Sequence, residues 1–142
     1  MFYSRKLKKF REIKHCFFSR NGGFSKGFYK SLNCGRGSMD FKNNISKNLG
    51  YVSKKMGVKP YNLILMHQTH SNKVLEITKK NIKNKIVSDA MVTKINKIAL
   101  GVVTADCVPI LIYDSKRRIV GCIHAGWKGA FSGIIKNTIT KI

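Results

Sequence analysis

Acidic residues are almost absent from this chain. Six Asp or Glu stand against 28 Lys or Arg in 142 residues, for a formal net charge of +22. No apolar run approaches the roughly 18 residues of a membrane span; the longest, around Leu100 to Tyr113, is interrupted by Asp106. A membrane role is therefore not expected. The basic start, MFYSRKLKKF, lacks a following apolar segment, so a secretory signal is not expected. The four cysteines (Cys16, Cys34, Cys107, Cys122) form no CxxC pair and no tight framework, so they read as reduced thiols of a cytoplasmic protein. Repeats, linkers and low-complexity blocks are missing too. What is present, 43% apolar residues, suffices for a buried core and excludes a disordered tail. One domain over residues 1–142 is expected.

The positive charge invites a nucleic-acid reading, but its distribution argues otherwise. The lysines are scattered, and arginine, the better bidentate reader of phosphate and guanine, occurs six times. Lys, Ile and Asn make up 49 of the 142 residues, the mark of a compositional drift that fills solvated positions with Lys. Polyanions would be attracted nonspecifically, with no specific nucleic acid as partner. Against that drift, three of the six acids (Asp89, Asp106, Asp114) fall within 26 residues. Asp114 opens an Asp-Ser-Lys-Arg hairpin turn. Asp89 and Asp106 lie in or beside apolar segments, where a bare carboxylate is costly unless hydrogen-bonded.

Along the chain, His15 to Phe18 is predicted as a strand, followed by a Gly- and Ser-rich loop from Ser19 to Gly37. Asp40 is placed to cap a helix to about Met56, with Phe41, Ile45, Leu49, Val52 and Met56 on one face. Gly57 and Pro60 end it. Strands are predicted at Leu63 to Met66, Val74 to Ile77, Ile98 to Val103, Ile110 to Tyr113 and Ile119 to Ile123. Trp127, Phe131, Ile134, Ile135, Thr138, Ile139 and Ile142 mark one amphipathic helix, expected to bury Phe131, Ile134, Ile135 and Ile139. It runs into the C-terminus without cap or polar tail, so the sequence reads as cut off.

Polar clusters sit at the ends of predicted strands: Met66-His67-Gln68-Thr69-His70, Thr104-Ala105-Asp106-Cys107, and His124-Ala125-Gly126-Trp127-Lys128-Gly129. Side chains carried into loops at strand ends are the usual construction of an α/β site. Two His and one Cys suit zinc, with three protein ligands and one open position. The alternative is a hydrogen-bonded core His and a buried Cys acting as a small hydrophobe. His67 and His70, three apart, point to opposite faces of an extended segment, so one of them joins a given cluster. Gly126 and Gly129 bracket Trp127 at a strand-to-helix junction, as an anion site, as a glycine turn with Trp127 as a core anchor, or as both together.

Five co-linear motifs carry a resemblance: HQTH followed by SNKV, then DAMVT, TADCVPIL and HAGWKG, preceded by FFSRNGGFSKGFYKSLNCG. They resemble the YfiH-like family, also labelled laccase-domain or polyphenol oxidase proteins, from about Phe17 to the last residue. The resemblance implies an α/β arrangement of mixed β-sheets flanked by helices. It also implies a zinc-dependent enzyme: a phosphorylase for adenosine, inosine, guanosine and methylthioadenosine, with adenosine deaminase activity. Purine nucleosides and phosphate are then the partners. The metal ligands it implies are His70, Cys107 and His124. Arg20, in the Gly-rich loop, becomes a candidate phosphate clamp and catalytic residue, with a surface charge as the alternative. Gly126 and Trp127 become candidate substrate contacts. Asp89 or Asp106 becomes the general base or the acceptor behind a ligand, or stays a structural turn residue.

Ser71 replaces the family's Gly, Lys128 its common Arg, and family members continue well past the HAGW helix. The chain thus reads as a C-terminally truncated, partial domain of this type. The rival expectations are an inactive remnant or half of a split protein, self-associating through exposed edges, and a cell-wall precursor editing hydrolase or copper-dependent polyphenol oxidase. Copper is the less convincing metal, because no His-x-His run or Met-rich segment suggests several centres.

Overall fold

The computed structural model describes all 142 residues, which form two compact units, Met1–Leu63 and Ile64–Ile142.

The first unit is built on one helix, α1 (Lys42–Met56), with Ile45 buried and Gly57 closing it at φ 76°. The apolar spacing predicted this helix, but not its polar anchor. Asn48 is fully buried on α1. Its Nδ2 donates to Ser25 Oγ (2.8 Å) and to the carbonyls of Asn33 (2.7 Å) and Ser31 (3.3 Å), while its Oδ1 accepts from Phe24 N (2.7 Å). A buried amide with every valence used is the kind of polar group a fold tolerates. It orders the Gly-rich loop, which holds a short 3-10 turn at Gly27–Tyr29 and a bridge between Ser25 and Ser31.

Two expectations for this unit are corrected. Asp40 does not cap α1: Phe41 is the N-cap and no side chain bonds the helix start. The Asp40 carboxylate is engaged by the loop instead, accepting from Ser25 Oγ (2.6 Å), Asn33 Nδ2 (3.0 Å) and Phe41 N (2.8 Å). The Ser25 bond, with those from Asn33 and Phe41, outweighs burial and holds its pKa below the ordinary carboxylate value. Nor is His15 to Phe18 a strand. It makes one isolated bridge, Phe2 to Phe17, and His15 is buried with Nε2 accepting from Ser4 N (2.9 Å).

β1 (Leu63–Leu65) starts at the boundary residue, and the second unit continues with β2 (Val74–Glu76), β3 (Ala90–Thr93), β4 (Ala99–Gly101), β5 (Val108–Asp114) and β6 (Ile119–Ala125). β1 pairs with β4, and the other four form a mixed sheet in the order β2-β3-β6-β5. β2 and β3 are parallel; β3/β6 and β5/β6 are antiparallel. Asp114 shapes the β5–β6 turn as expected, its Oδ1 accepting from Arg117 N at 2.9 Å. β3 is not among the predicted strands. Its four residues carry no alternation because, lying between β2 and β6, they are buried on both faces.

The two faces of this sheet bury different cores. Met91 and Cys122 pack with Ile64, Met66, Ile77 and Ile86 on one side. Ala90, Ile123 and Ala125 pack with Ile134 on the other. Burial pushes the Cys122 thiol up to about 12, despite a backbone hydrogen bond at Met91 that opposes it. Ile134 belongs to α3 (Ile134–Lys141), which packs on β2, β3 and β6.

The single C-terminal helix expected from the sequence is two. α2 (Trp127–Phe131) ends at Ser132, and Gly133 at φ 85° turns the chain into α3. The break rotates the buried face. Ile134 and Thr138 are fully buried, whereas Phe131 (92% exposed), Ile139 (62%) and Ile135 (41%) face outward, contrary to their expected burial.

Candidate metal centre

The site lies in the second unit, where loops meet at strand ends. His70 follows β1 in an irregular segment, Cys107 immediately precedes β5, and His124 is the penultimate residue of β6. Antiparallel pairing places Val108 opposite Ala125 and Pro109 opposite His124, so the β5–β6 register itself carries Cys107 to the His124 end. The ligating atoms of His70, Cys107 and His124 lie within 4.8 Å of one another. Cys107 Sγ is 3.8 Å from His70 Nε2, and the two imidazoles meet edge to face with centroids 4.8 Å apart. In a tetrahedral zinc site, bonds of roughly 2.1 Å to N and 2.3 Å to S imply N···S separations near 3.6 Å. The donor set therefore fits one such ion by type and by spacing.

His70 is held in the left-handed region, at φ 57°, a conformation that costs a non-glycine residue energy and collects at functional sites. Asp89, just before β3 and fully buried, accounts for it. Its Oδ1 accepts from His70 N (3.0 Å) and its Oδ2 from Ser71 N (2.8 Å) and Ser71 Oγ (2.7 Å). Both oxygens also lie 3.2 Å from Thr69 N, and Thr69 Oγ1 donates to Oδ2. On the other side, His124 Nδ1 is 2.9 Å from Oδ1. Burial alone would raise the Asp89 pKa, but the bonds from His124, Ser71 and Thr69 win and lower it to about 2. The group is a carboxylate, so His124 donates through Nδ1–H, and Nε2 is the ring nitrogen not engaged by Asp89.

Around Cys107 the balance is reversed. In the metal-free protein, desolvation, then the charge and hydrogen bond of Asp106, then the charge of Asp89, push its thiol pKa upward. A bound cation offsets these effects, because a coordinating thiol is deprotonated.

The other candidates are dispersed. Asp106 is exposed beside Cys107. His67 is exposed, and its backbone, not its ring, is used: His67 N donates to Ile86 O (2.7 Å) and His67 O accepts from Ser88 N (3.2 Å). Arg20 belongs to the first unit, where its Nε and Nη2 donate to the Lys30 carbonyl and close the Gly-rich loop. Sequence reasoning passed over Gln68, whose side-chain amide pairs with both backbone groups of Val103 (2.8 and 2.9 Å) and so ties the His70 loop to the chain leading to Cys107. Its position inside the HQTH motif was the available signal.

At Gly126 and Gly129 the structure shows a close approach that a side chain would obstruct. A Cβ on Gly126 would lie 2.7 Å from His70 Cδ2 and 3.2 Å from Cys107 Sγ, and one on Gly129 would lie 2.7 Å from Ser71 O. With five residues, α2 offers little dipole of its own. Trp127 is exposed next to Gly126. Replacing Gly126 by Ala is expected to push His70 off the cluster and weaken zinc binding on the order of 10–100-fold, the range for losing a support of the ligands. Competitive zinc titration against a chromophoric chelator checks this; unchanged affinity would show that the ligands do not need this contact.

Fold and site together define a mixed α/β protein able to hold one metal ion on loops at strand ends. Residues 14–142 match the family model described as multi-copper polyphenol oxidoreductase laccase, and the chain belongs to that family. It is similar to a purine nucleoside phosphorylase of Corynebacterium glutamicum, 34% identical over 134 residues covering 93% of this chain and 54% of the relative. It is also similar to one of Bacteroides thetaiotaomicron, 31% identical and covering 96% and 53%. Among solved structures it resembles the Neisseria meningitidis protein NMB0706 (TM-score 0.77, 34% identity, 86% of this chain and 49% of that one). Bacillus licheniformis YfiH gives a TM-score of 0.80 at 28% identity, covering 85% and 48%. The expected YfiH-like membership and mixed α/β fold are thereby borne out. The chain spans about half the length of the curated relatives it matches. No helix is long and apolar enough to cross a membrane.

Proposed function

We propose that this chain is the metal-bearing portion of a zinc-dependent purine nucleoside phosphorylase, acting on adenosine, inosine, guanosine or methylthioadenosine, with adenosine deaminase activity at the same centre. The observation that carries the reading is the His70–Cys107–His124 cluster within 4.8 Å, in a family whose relatives bear the phosphorylase name. Zinc held there supplies a Lewis acid and lowers the pKa of water at its open position. A set of two His and one Cys can hold either ion, but one such cluster in a chain without a His-x-His run does not make the several centres of a multi-copper oxidase, so zinc is the metal proposed.

The chain's own residues have separate tasks. His124 offers Nε2 because its other nitrogen is tied to Asp89. Asp106, exposed beside Cys107, is the carboxylate able to exchange protons with solvent and substrate. Trp127 offers an aromatic face of the kind on which a purine stacks, and Gly126 beside it leaves room at the cluster. The guanidinium of Arg20, which closes the Gly-rich loop onto the Lys30 carbonyl, is proposed as a phosphate contact of the first unit. Polyanions other than substrate bind through dispersed Lys charge, nonspecifically and with steep salt dependence.

The test is incubation of the zinc-loaded chain with inosine and phosphate, or with adenosine alone, measuring free base, ribose 1-phosphate and ammonia. Turnover that is removed by chelation and by Cys107→Ala is the expected result; turnover indifferent to both would overturn it. A second reading, an inactive portion that self-associates through uncovered surface, is favoured by the outward-facing Trp127, Phe131, Ile135 and Ile139. Bound zinc without any product, together with concentration-dependent light scattering, would select that reading.

A further inference from the structure

We infer that Asp89 is the positioning residue of the metal centre: a single buried carboxylate that sets the backbone of one ligand and the ring tautomer of another, and takes no part as a base. The inference rests on the proposed metal-binding role of His70, Cys107 and His124, and concerns how this chain holds them.

The argument is one of acceptor capacity. Two carboxylate oxygens offer about four lone-pair sites. Asp89 receives His70 N, Ser71 N, Ser71 Oγ, Thr69 Oγ1 and His124 Nδ1 at 2.7 to 3.2 Å, with Thr69 N shared between the oxygens. No lone pair is left to take a proton from a substrate or water, and the group is fully buried. A general base has to reach the proton it abstracts, and Asp89 cannot.

What this carboxylate does accomplish is geometric. Three consecutive amides, Thr69, His70 and Ser71, converge on it, a nest-like wrapping of an anion by backbone N–H groups. Convergence of that kind requires the chain to turn, and it turns at His70, at φ 57°. The strained residue and the ligand are the same residue, and its imidazole stands 3.8 Å from Cys107 Sγ. Through the same Oδ1, Asp89 accepts Nδ1–H of His124, so Nε2 of that ring is the donor available to a metal. The backbone of Asp89 adds a further tie, its carbonyl accepting from His124 N at 2.7 Å. Two ligands from segments more than 50 residues apart are thus referred to one carboxylate.

Asparagine in place of Asp89 keeps the shape but replaces one acceptor oxygen by an NH2 donor facing other donors. The experiment is a Zn²⁺ and Co²⁺ titration of the full chain, wild type and Asp89→Asn, with Asp114→Asn as a turn carboxylate outside the site. The Zn²⁺ dissociation constant is expected to rise 10–100-fold in Asp89→Asn and to stay within about twofold in Asp114→Asn. The Co²⁺ visible absorption of Asp89→Asn should lose intensity and shift, reporting altered ligand geometry, which a general loss of stability would not produce in the folded fraction. Equal affinity with an unchanged Co²⁺ spectrum would overturn the inference.

Should Asp89→Asn not fold, the ¹⁵N–¹H spectrum of the wild-type His124 ring decides. A proton on Nδ1, with Nε2 responding to Zn²⁺, supports the inference; metal on Nδ1 refutes it. None of these readouts involves nucleosides. Failure of the phosphorylase reading would leave them standing, and their failure would leave phosphorolysis to be judged separately.

Discussion

Replacing Cys107 or His124 by Ala is expected to empty the metal centre, while replacing His67 by Ala leaves it full. The wild-type chain should retain about one Zn²⁺, the stoichiometry of one three-ligand site with an open position. Four-ligand zinc sites bind with apparent energies of roughly 10–16 kcal/mol. Each ligand then stands for several kcal/mol, and affinity should fall on the order of 1,000-fold when one is lost. His67 is the internal control, being in the same short motif and of the same chemistry. Its ring is exposed, and its contribution is the pairing of its backbone with residues 86 and 88, which alanine preserves. Zinc content by atomic spectroscopy after dialysis measures all three. Equal occupancy in the three variants would refute the ligand assignment.

The largest effect on stability is expected from Gly23→Ala in the first unit. A Cβ at this position would collide with the Ser31 carbonyl and with Leu32 N and Cα, all backbone atoms with no rotamer into which to retreat. The strand-like approach there is held by Gly23 N to Ser31 Oγ (2.7 Å), Leu32 N to Arg20 O (2.6 Å) and the Asn48 bonds beyond. Moving it apart would undo several of them together. We expect a loss of about 3 kcal/mol or more, read as a fall in Tm of roughly 10 °C or more. Gly37→Ala is the matched comparison. It meets nothing within 4 Å, and its Tm should change by less than about 3 °C, since surface substitutions stay within about 0.5 kcal/mol. Parallel thermal melts followed by circular dichroism test the pair, and equal melting temperatures would refute the close-approach account.

Elements whose signal is local are the ones that could be read in advance. The α1 face from Phe41 to Met56 repeats at helical spacing within fifteen residues, and Asp114 starts a turn within four. Failures occur where a partner distant in sequence decides. Asp40 looks like a helix cap by position, but Ser25 and Asn33 compete for its carboxylate and win. Trp127 to Ile142 reads as one apolar stripe, yet Gly133 breaks it and seats Ile134 and Thr138 against the sheet, leaving Phe131 outside. β3 is too short to show a period, and only its place between β2 and β6 makes it the strand that delivers Asp89.

By itself, the sequence determined the donor chemistry of the centre, two imidazoles and a thiol at strand ends, and its motifs were enough to indicate the family. Residue type and motif order survive without coordinates. That Asp89 is enclosed by donors while Asp106 is exposed, and that Gly126 lies against two of the cluster's side chains, came from the tertiary structure alone. Those outcomes depend on atoms brought together from positions 18 to 35 residues apart and on the left-handed turn at His70. No local propensity encodes them, because a short polar loop is stable in that shape only once a buried carboxylate is there to receive its N–H groups.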